Sequence, residues 1–196
     1  EGELIWLDAD TLIREKSGGR KSLDDFARGF VGVEDGRIEV LPYTFDDVVK
    51  ALNAVQPHDW AAFLRERTES TGGGAPLDGL TRGGWKLVYK EEPNAAAAAF
   101  SRGGTSLTFS LGMSVGKDNK ITDVQWNGPA FRAGLAPGMT LLAVNNEAAS
   151  GELLSEAVKA AKGGSAPIVL LVNSFDHILT IKLDYHEGLR NPHLER

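Results

Sequence analysis

The chain of 196 residues contains no cysteine, which excludes disulfides, thiolate zinc ligands and a Cys nucleophile. No apolar run approaches the roughly 20 residues that a membrane-spanning helix needs. A basic excess is also missing, with 21 Lys+Arg against 27 Asp+Glu. That balance argues against nucleic acid as a partner, because phosphate binding needs a concentrated basic surface. Histidine is scarce, at His58, His177, His186 and His193. Only His186 is followed by Glu, and Arg190 stands where a zinc-binding H-E-x-x-H helix needs its second His. No nucleophile–base pair or convergent acid–base pair can be assembled, so neither a catalytic nor a metal-binding residue is expected in the chain.

The charge that is present is unevenly placed. Residues 1–78 hold 9 Lys+Arg and 16 Asp+Glu, net −7, whereas residues 79–196 hold 12 and 11, net +1. The expected division is a helical segment over 1–78, a second domain over 79–186 and a polar tail over 187–196. In the first segment Leu4, Ile5, Leu7, Ala9, Leu12 and Ile13 recur at helical spacing, and Trp6 among them is expected in the core. Arg14, Lys16 and Gly18-Gly19 supply the stop. Ser22-Leu23-Asp24-Asp25 and Thr44-Phe45-Asp46-Asp47 read as helix caps, each followed by an apolar stripe. Neighbouring acids on a helix point about 100° apart, so these pairs do not converge on a substrate. Pro57 is expected to open a further helix through Trp60, Phe63 and Leu64, giving a small bundle.

Ser70–Pro76 is a flexible boundary by composition. Trp85–Tyr89 alternates as a strand, and the Ala run after Asn94 predicts a loop with a short helical turn. A strand at Thr105–Phe109 then meets Ser110-Leu111-Gly112-Met113. A Gly there lets successive backbone N–H groups converge into an anion-binding nest; an ordinary hairpin turn, with the following strand covered by the protein itself, is the alternative. Met113-Ser114-Val115 is expected to be a strand with a free edge, onto which a peptide adds as a further strand. Next come a strand over Ile121–Trp126, a one-turn helix from Pro129 stopped by Gly134, and a strand over Thr140–Val144. Leu153, Leu154, Ala157, Val158 and Ala161 mark an amphipathic helix, and a hairpin over Asn173–Asp176 closes the set.

That order of parts from Phe109 to Asn145 resembles a PDZ domain. Met139 and Asn146 depart from the usual PDZ pattern, which commonly has Asp and Gly there. The resemblance implies peptide binding by Leu111, Gly112 and Met113 as the carboxylate loop, by Ser114 and Val115 along the strand, and by Leu154 and Val158 as the opposite wall. Leu154 cannot hydrogen-bond, which implies an apolar preference two residues before the ligand's C-terminus. The run LIWLDADTLIREKSGGRKSLDDFARGF, with YTFDDVVKALNAV and WAAFLRER, resembles the helical region of the glycyl-aminopeptidase-type gluzincin metallopeptidases (metallopeptidase family sixty-one), which a PDZ domain follows. The expected fold class is therefore α+β: a small α-helical bundle, then a PDZ-like β-sandwich or partly open barrel with two helices. The abrupt start without Met or cap gives the expectation of a fragment whose zinc site, catalytic residues and targeting signal lie upstream. The expected function is thus non-catalytic: the PDZ domain binds an extended peptide or a protein C-terminus, or scaffolds the protease. A free-standing PDZ adaptor with a helical docking domain is the alternative. The family resemblance implies a periplasmic or secreted location. Apolar surface on a severed helical domain leaves homo-oligomerisation open.

Overall fold

The computed structural model describes residues 2–32, 36, 38–71, 74–95 and 103–196. It is a mixed helix-and-sheet fold divided into two compact units, Glu1–Lys86 with Glu195–Arg196, and Leu87–Leu194. The Ala run after Asn94 lies largely outside the described residues.

The first unit is helical. In α1 (Gly2–Ser17) the buried positions are Ile5, Asp8, Ala9, Leu12 and Ile13, with Ser17 at the end, and the first five are the i, i+3, i+4, i+7, i+8 stripe of one helix face. Leu7 and Trp6 fall outside it and are partly exposed, contrary to the apolar pattern; Trp6 stacks on Phe26 instead. Gly18 and Gly19 take positive φ, and the Gly19 amide closes the helix on the Arg14 carbonyl at 2.7 Å. Helices α2 (Leu23–Phe30) and α3 (Phe45–Val55) each begin with a reciprocal capping box, Ser22 with Asp25 and Thr44 with Asp47. These boxes account for one acid of each pair, and each is worth about 1 kcal/mol. Helix α4 (Trp60–Glu69) starts later than expected from Pro57: Asp59 is its cap, accepting the Ala62 N–H at 3.0 Å.

A fifth helix, α5 (Asp78–Arg82), has no counterpart in the sequence expectations and packs on α1. This packing holds the first unit together past the expected boundary at residue 78, so the compact unit runs on to Lys86. Its core comprises Ile5, Ala9, Leu12, Ile13, Phe26, Leu52, Val55, Trp60, Phe63 and Leu64.

The second unit carries β1 (Lys86–Lys90), β2 (Gly104–Leu107), β3 (Met113–Gly116), β4 (Ile121–Val124), α6 (Pro129–Arg132), β5 (Thr140–Val144), β6 (Glu147–Ala148), α7 (Gly151–Ala160), β7 (Ile168–Ser174), β8 (His177–Leu183) and β9 (Asn191–Glu195). Among the described residues the strands form three sheets, β1-β9, β2-β3-β4 and β6-β5-β7-β8. None of these sheets closes into a barrel. The residues after 186 do not simply trail, because β9 pairs with β1. Asn146 takes φ +71° and Gly134 φ +91°, the left-handed conformations that these turn positions require. One buried cluster, including Leu107, Met113, Leu141, Leu154, Ile168, Leu170 and Leu183, forms the core.

Candidate functional site

The residues singled out by the sequence converge around the turn between β2 and β3. Five residues, Thr108 to Gly112, connect Leu107 to its cross-strand partner Met113. Gly112 sits at φ +71°, where a side chain is strained. The turn is pinned from outside: the Gln125 amide donates to the Gly112 carbonyl at 2.8 Å, and the Ala130 amide to the Leu111 carbonyl at 2.9 Å. The Ser110 hydroxyl, nearly buried, accepts the Arg190 N–H at 3.0 Å. Next to it the Tyr185 hydroxyl donates to the Gly188 carbonyl at 2.9 Å. Burial, then the charge of Glu187, raises the Tyr185 pKa, so the phenol remains a neutral donor.

This anchoring aims three amides inward. Ser110, Leu111 and Gly112 all donate to one oxygen, the Leu107 carbonyl, at 3.1, 2.9 and 3.0 Å. The turn is thus both a hairpin turn and a nest, and the acceptor in the nest belongs to the chain itself.

The strand that follows does not have the free edge expected of it. β3 is the central strand of its sheet, paired with β4 on one side and with β2 on the other. In the β2 register Thr105 lies opposite Val115, Ser106 opposite Ser114 and Leu107 opposite Met113. Side chains alternate accordingly. Leu107 is buried with Leu111, Met113, Val115, Leu154 and Val158 in the same cluster, while Ser106 points outward into a hydroxyl group of three with Thr108 and Ser114. Leu111, Met113, Leu154 and Val158 have no exposed surface and Val115 only 2%. The structure therefore gathers Leu111, Met113, Val115, Leu154 and Val158 into a closed core rather than an open groove, with Gly112 in the turn beside it and Ser114 on the outward face. Helix α7 packs on β2 and on β5, with Gly151 against Thr105. A Cβ on Gly151 would lie 1.9 Å from Thr105 Oγ1.

Sequence reasoning missed the role of Thr105–Leu107. The available signal was the short turn: consecutive strands joined by about five residues pair with each other by default, and the nearest neighbour for β3 is therefore β2.

Of the histidines, His186 Nε2 lies 2.8 Å from Asp184 Oδ1 and His193 Nε2 2.9 Å from the Glu92 carbonyl. Among the described residues no group of three His, Cys, Asp or Glu is placed to hold a metal ion. On the outer side of the turn a cleft of about 320 Å³ is lined by Phe109, Gln125, Arg132, Tyr185, Glu187 and Arg190, among others.

No family model matches the chain, and neither does any curated protein. Among solved structures, the HtrA3 PDZ domain bound to a phage-derived ligand (FGRWV) aligns over 57% of this chain and 90% of its own, at 15% identity and a TM-score of 0.30, too low to define a shared fold. An aminopeptidase N family protein from Idiomarina loihiensis aligns over the whole of this chain at 17% identity and a TM-score of 0.61; the chain spans 34% of that protein, and what the two share is the fold.

Proposed function

We propose that this chain is the non-catalytic C-terminal part of a glycyl-aminopeptidase-like zinc metallopeptidase, and that its second unit is a PDZ-like module taking an extended peptide or a C-terminal carboxylate as an added strand. The observation that carries this is the inward nest of Ser110, Leu111 and Gly112 amides beside the edge of β3 on which the chain's own β2 is paired. Three converging N–H groups suit an anionic oxygen, and strand addition supplies the main-chain bonds of peptide recognition. The fold shared along the full chain with an aminopeptidase N family protein supports the parentage. Zinc and its general base would then lie in the remainder of such a protein. The module would position peptides for that catalytic part or scaffold it.

Two measurements test this. The coding region upstream is expected to contain H-E-x-x-H with a downstream Glu; a complete reading frame without it removes the peptidase parentage. Peptides with a free apolar C-terminus are expected to bind the chain more tightly than their amidated twins. Equal affinity for acid and amide removes the carboxylate nest.

A further inference from the structure

Resting on the peptide-binding function proposed above, we infer that β2 is a built-in ligand. Thr105-Ser106-Leu107 occupies the strand-addition site beside β3, and an external ligand is a peptide that copies this segment and displaces it.

Four features of β2 match what such a ligand would need. It pairs with β3 in antiparallel register and ends at the nest. Its last side chain, Leu107, is buried in the cluster that holds Leu111, Met113, Leu154 and Val158. Its last carbonyl takes all three inward amides. Its outward residue, Ser106, is exposed and among the described residues meets the hydroxyls of Thr108 and Ser114, so that position carries little selectivity.

A fifth feature sets the remaining specificity. Thr105, two residues before Leu107, faces Gly151 at the start of α7, where even a methyl group would collide with its Oγ1. The site has room for a small branched hydroxyl residue because Gly151 has no side chain. The apolar preference expected from Leu154 at this position is therefore replaced: Leu154 lies in the Leu107 cluster, and Thr105 meets Gly151 instead.

Displacement is chemically reasonable because the internal ligand is imperfect. The nest donates three N–H groups to a neutral carbonyl, whereas a C-terminal carboxylate accepts the same bonds with charge, and charge-assisted bonds are roughly twice as strong. Against this, the internal strand is tethered and present at high effective concentration. An external peptide meets a closed site, and its apparent affinity is lowered by the fraction of molecules with β2 released. The strand is thus a gate that only a well-matched C-terminus opens.

The test uses the full chain in three forms: unaltered, Gly104→Val and Leu107→Ala. A Cβ at Gly104 would lie 2.5 Å from the Val115 carbonyl oxygen, so Val there pushes β2 off β3; Leu107→Ala empties the apolar position. The probe is a fluorescent peptide ending Gly-Thr-Ser-Leu with a free carboxylate, compared with its amide and with a version carrying Lys for Thr. Both variants are expected to bind the acid at least about tenfold more tightly than the unaltered chain. The amide and the Lys peptide are expected to be weaker by about tenfold or more. Equal binding by all three forms overturns the internal ligand and leaves peptide binding standing. No binding by folded variants overturns both. If the variants do not fold, amide hydrogen exchange of the unaltered chain decides. With peptide at millimolar concentration the β2 amides should exchange faster while Ser114 stays protected; unchanged exchange in β2 overturns the inference.

Discussion

The Asp8 carboxylate, fully buried on α1, accepts the Arg67 Nε–H at 2.6 Å. Its other oxygen takes Arg82 at 2.5 Å, and Arg82 also donates to the Asp8 carbonyl and to Thr11 Oγ1. A buried charge persists only when paired and hydrogen-bonded, and here one carboxylate ties α1 to α4 and α5. Asp8→Asn removes the buried counter-charge of two partly buried guanidinium groups, leaving Arg67 with the exposed Glu66 and Asp78 and Arg82 with the exposed Glu15. It is expected to lower the stability of the first unit by about 3–5 kcal/mol. Urea unfolding followed by the helical circular dichroism signal measures it, and a loss below about 1 kcal/mol would show that the arginines find water instead.

Gly79 and Gly29 both lie in helices but should respond oppositely to alanine. A Cβ on Gly79 would lie 2.6 Å from the Asp8 amide nitrogen, a backbone atom that cannot swing away, whereas one on Gly29 meets nothing. Gly79→Ala should therefore cost about 1–3 kcal/mol by forcing α5 from α1. Gly29→Ala should gain up to about 1 kcal/mol from helix propensity. Thermal melts of the two variants side by side check the contrast.

Gly112→Ala should weaken the turn. The residue sits at φ +71°, and an added Cβ would also press on Gly128 Cα at 3.3 Å. A cost of at least about 1 kcal/mol is expected, with faster hydrogen exchange at the Ser110 and Leu111 amides that donate to Leu107. A melting temperature and exchange pattern identical to the unaltered chain would mean the turn accepts a side chain.

Stability of the first unit should depend on pH through His58. Its ring meets Trp60 and Phe63 edge-on, and burial, followed by the charge of Lys16, holds its pKa below the ordinary 6.5. The unfolded chain then binds a proton at a higher pH than the folded one. Stability is therefore full above about pH 6.5 and falls as the pH drops from there toward the folded pKa. Denaturant midpoints at about pH 7.5 and 5.5 should show this loss, and His58→Leu should remove that part of it. An unchanged slope in the variant would assign the effect to other groups.

Much of the first unit was legible because its signals are local. Ser22 and Thr44 cap helices through residues three positions away, and Gly18-Gly19 end one by their own backbone freedom. Asp8 was not legible: a charge inside an apolar stripe reads as solvent-facing until Arg67 and Arg82, distant in sequence, arrive to pair with it. Helix α5 escaped for the same reason, since its five residues carry too little periodicity and are held by contact with α1. Asp59, not Pro57, caps α4 because its carboxylate reaches the Ala62 amide, a choice between neighbours that composition does not rank.

For the turn at Ser110–Met113, the sequence by itself determined the element order, the need for Gly at position 112 and the apolar character of Leu111, Met113, Leu154 and Val158. These are consequences of backbone conformation and period, which each short stretch carries within itself. Only the tertiary structure decided what lies against β3. A strand's edge is identical whether its neighbour is a foreign peptide or Thr105-Ser106-Leu107. The choice falls to which partner is close at hand, and the five-residue turn keeps β2 there.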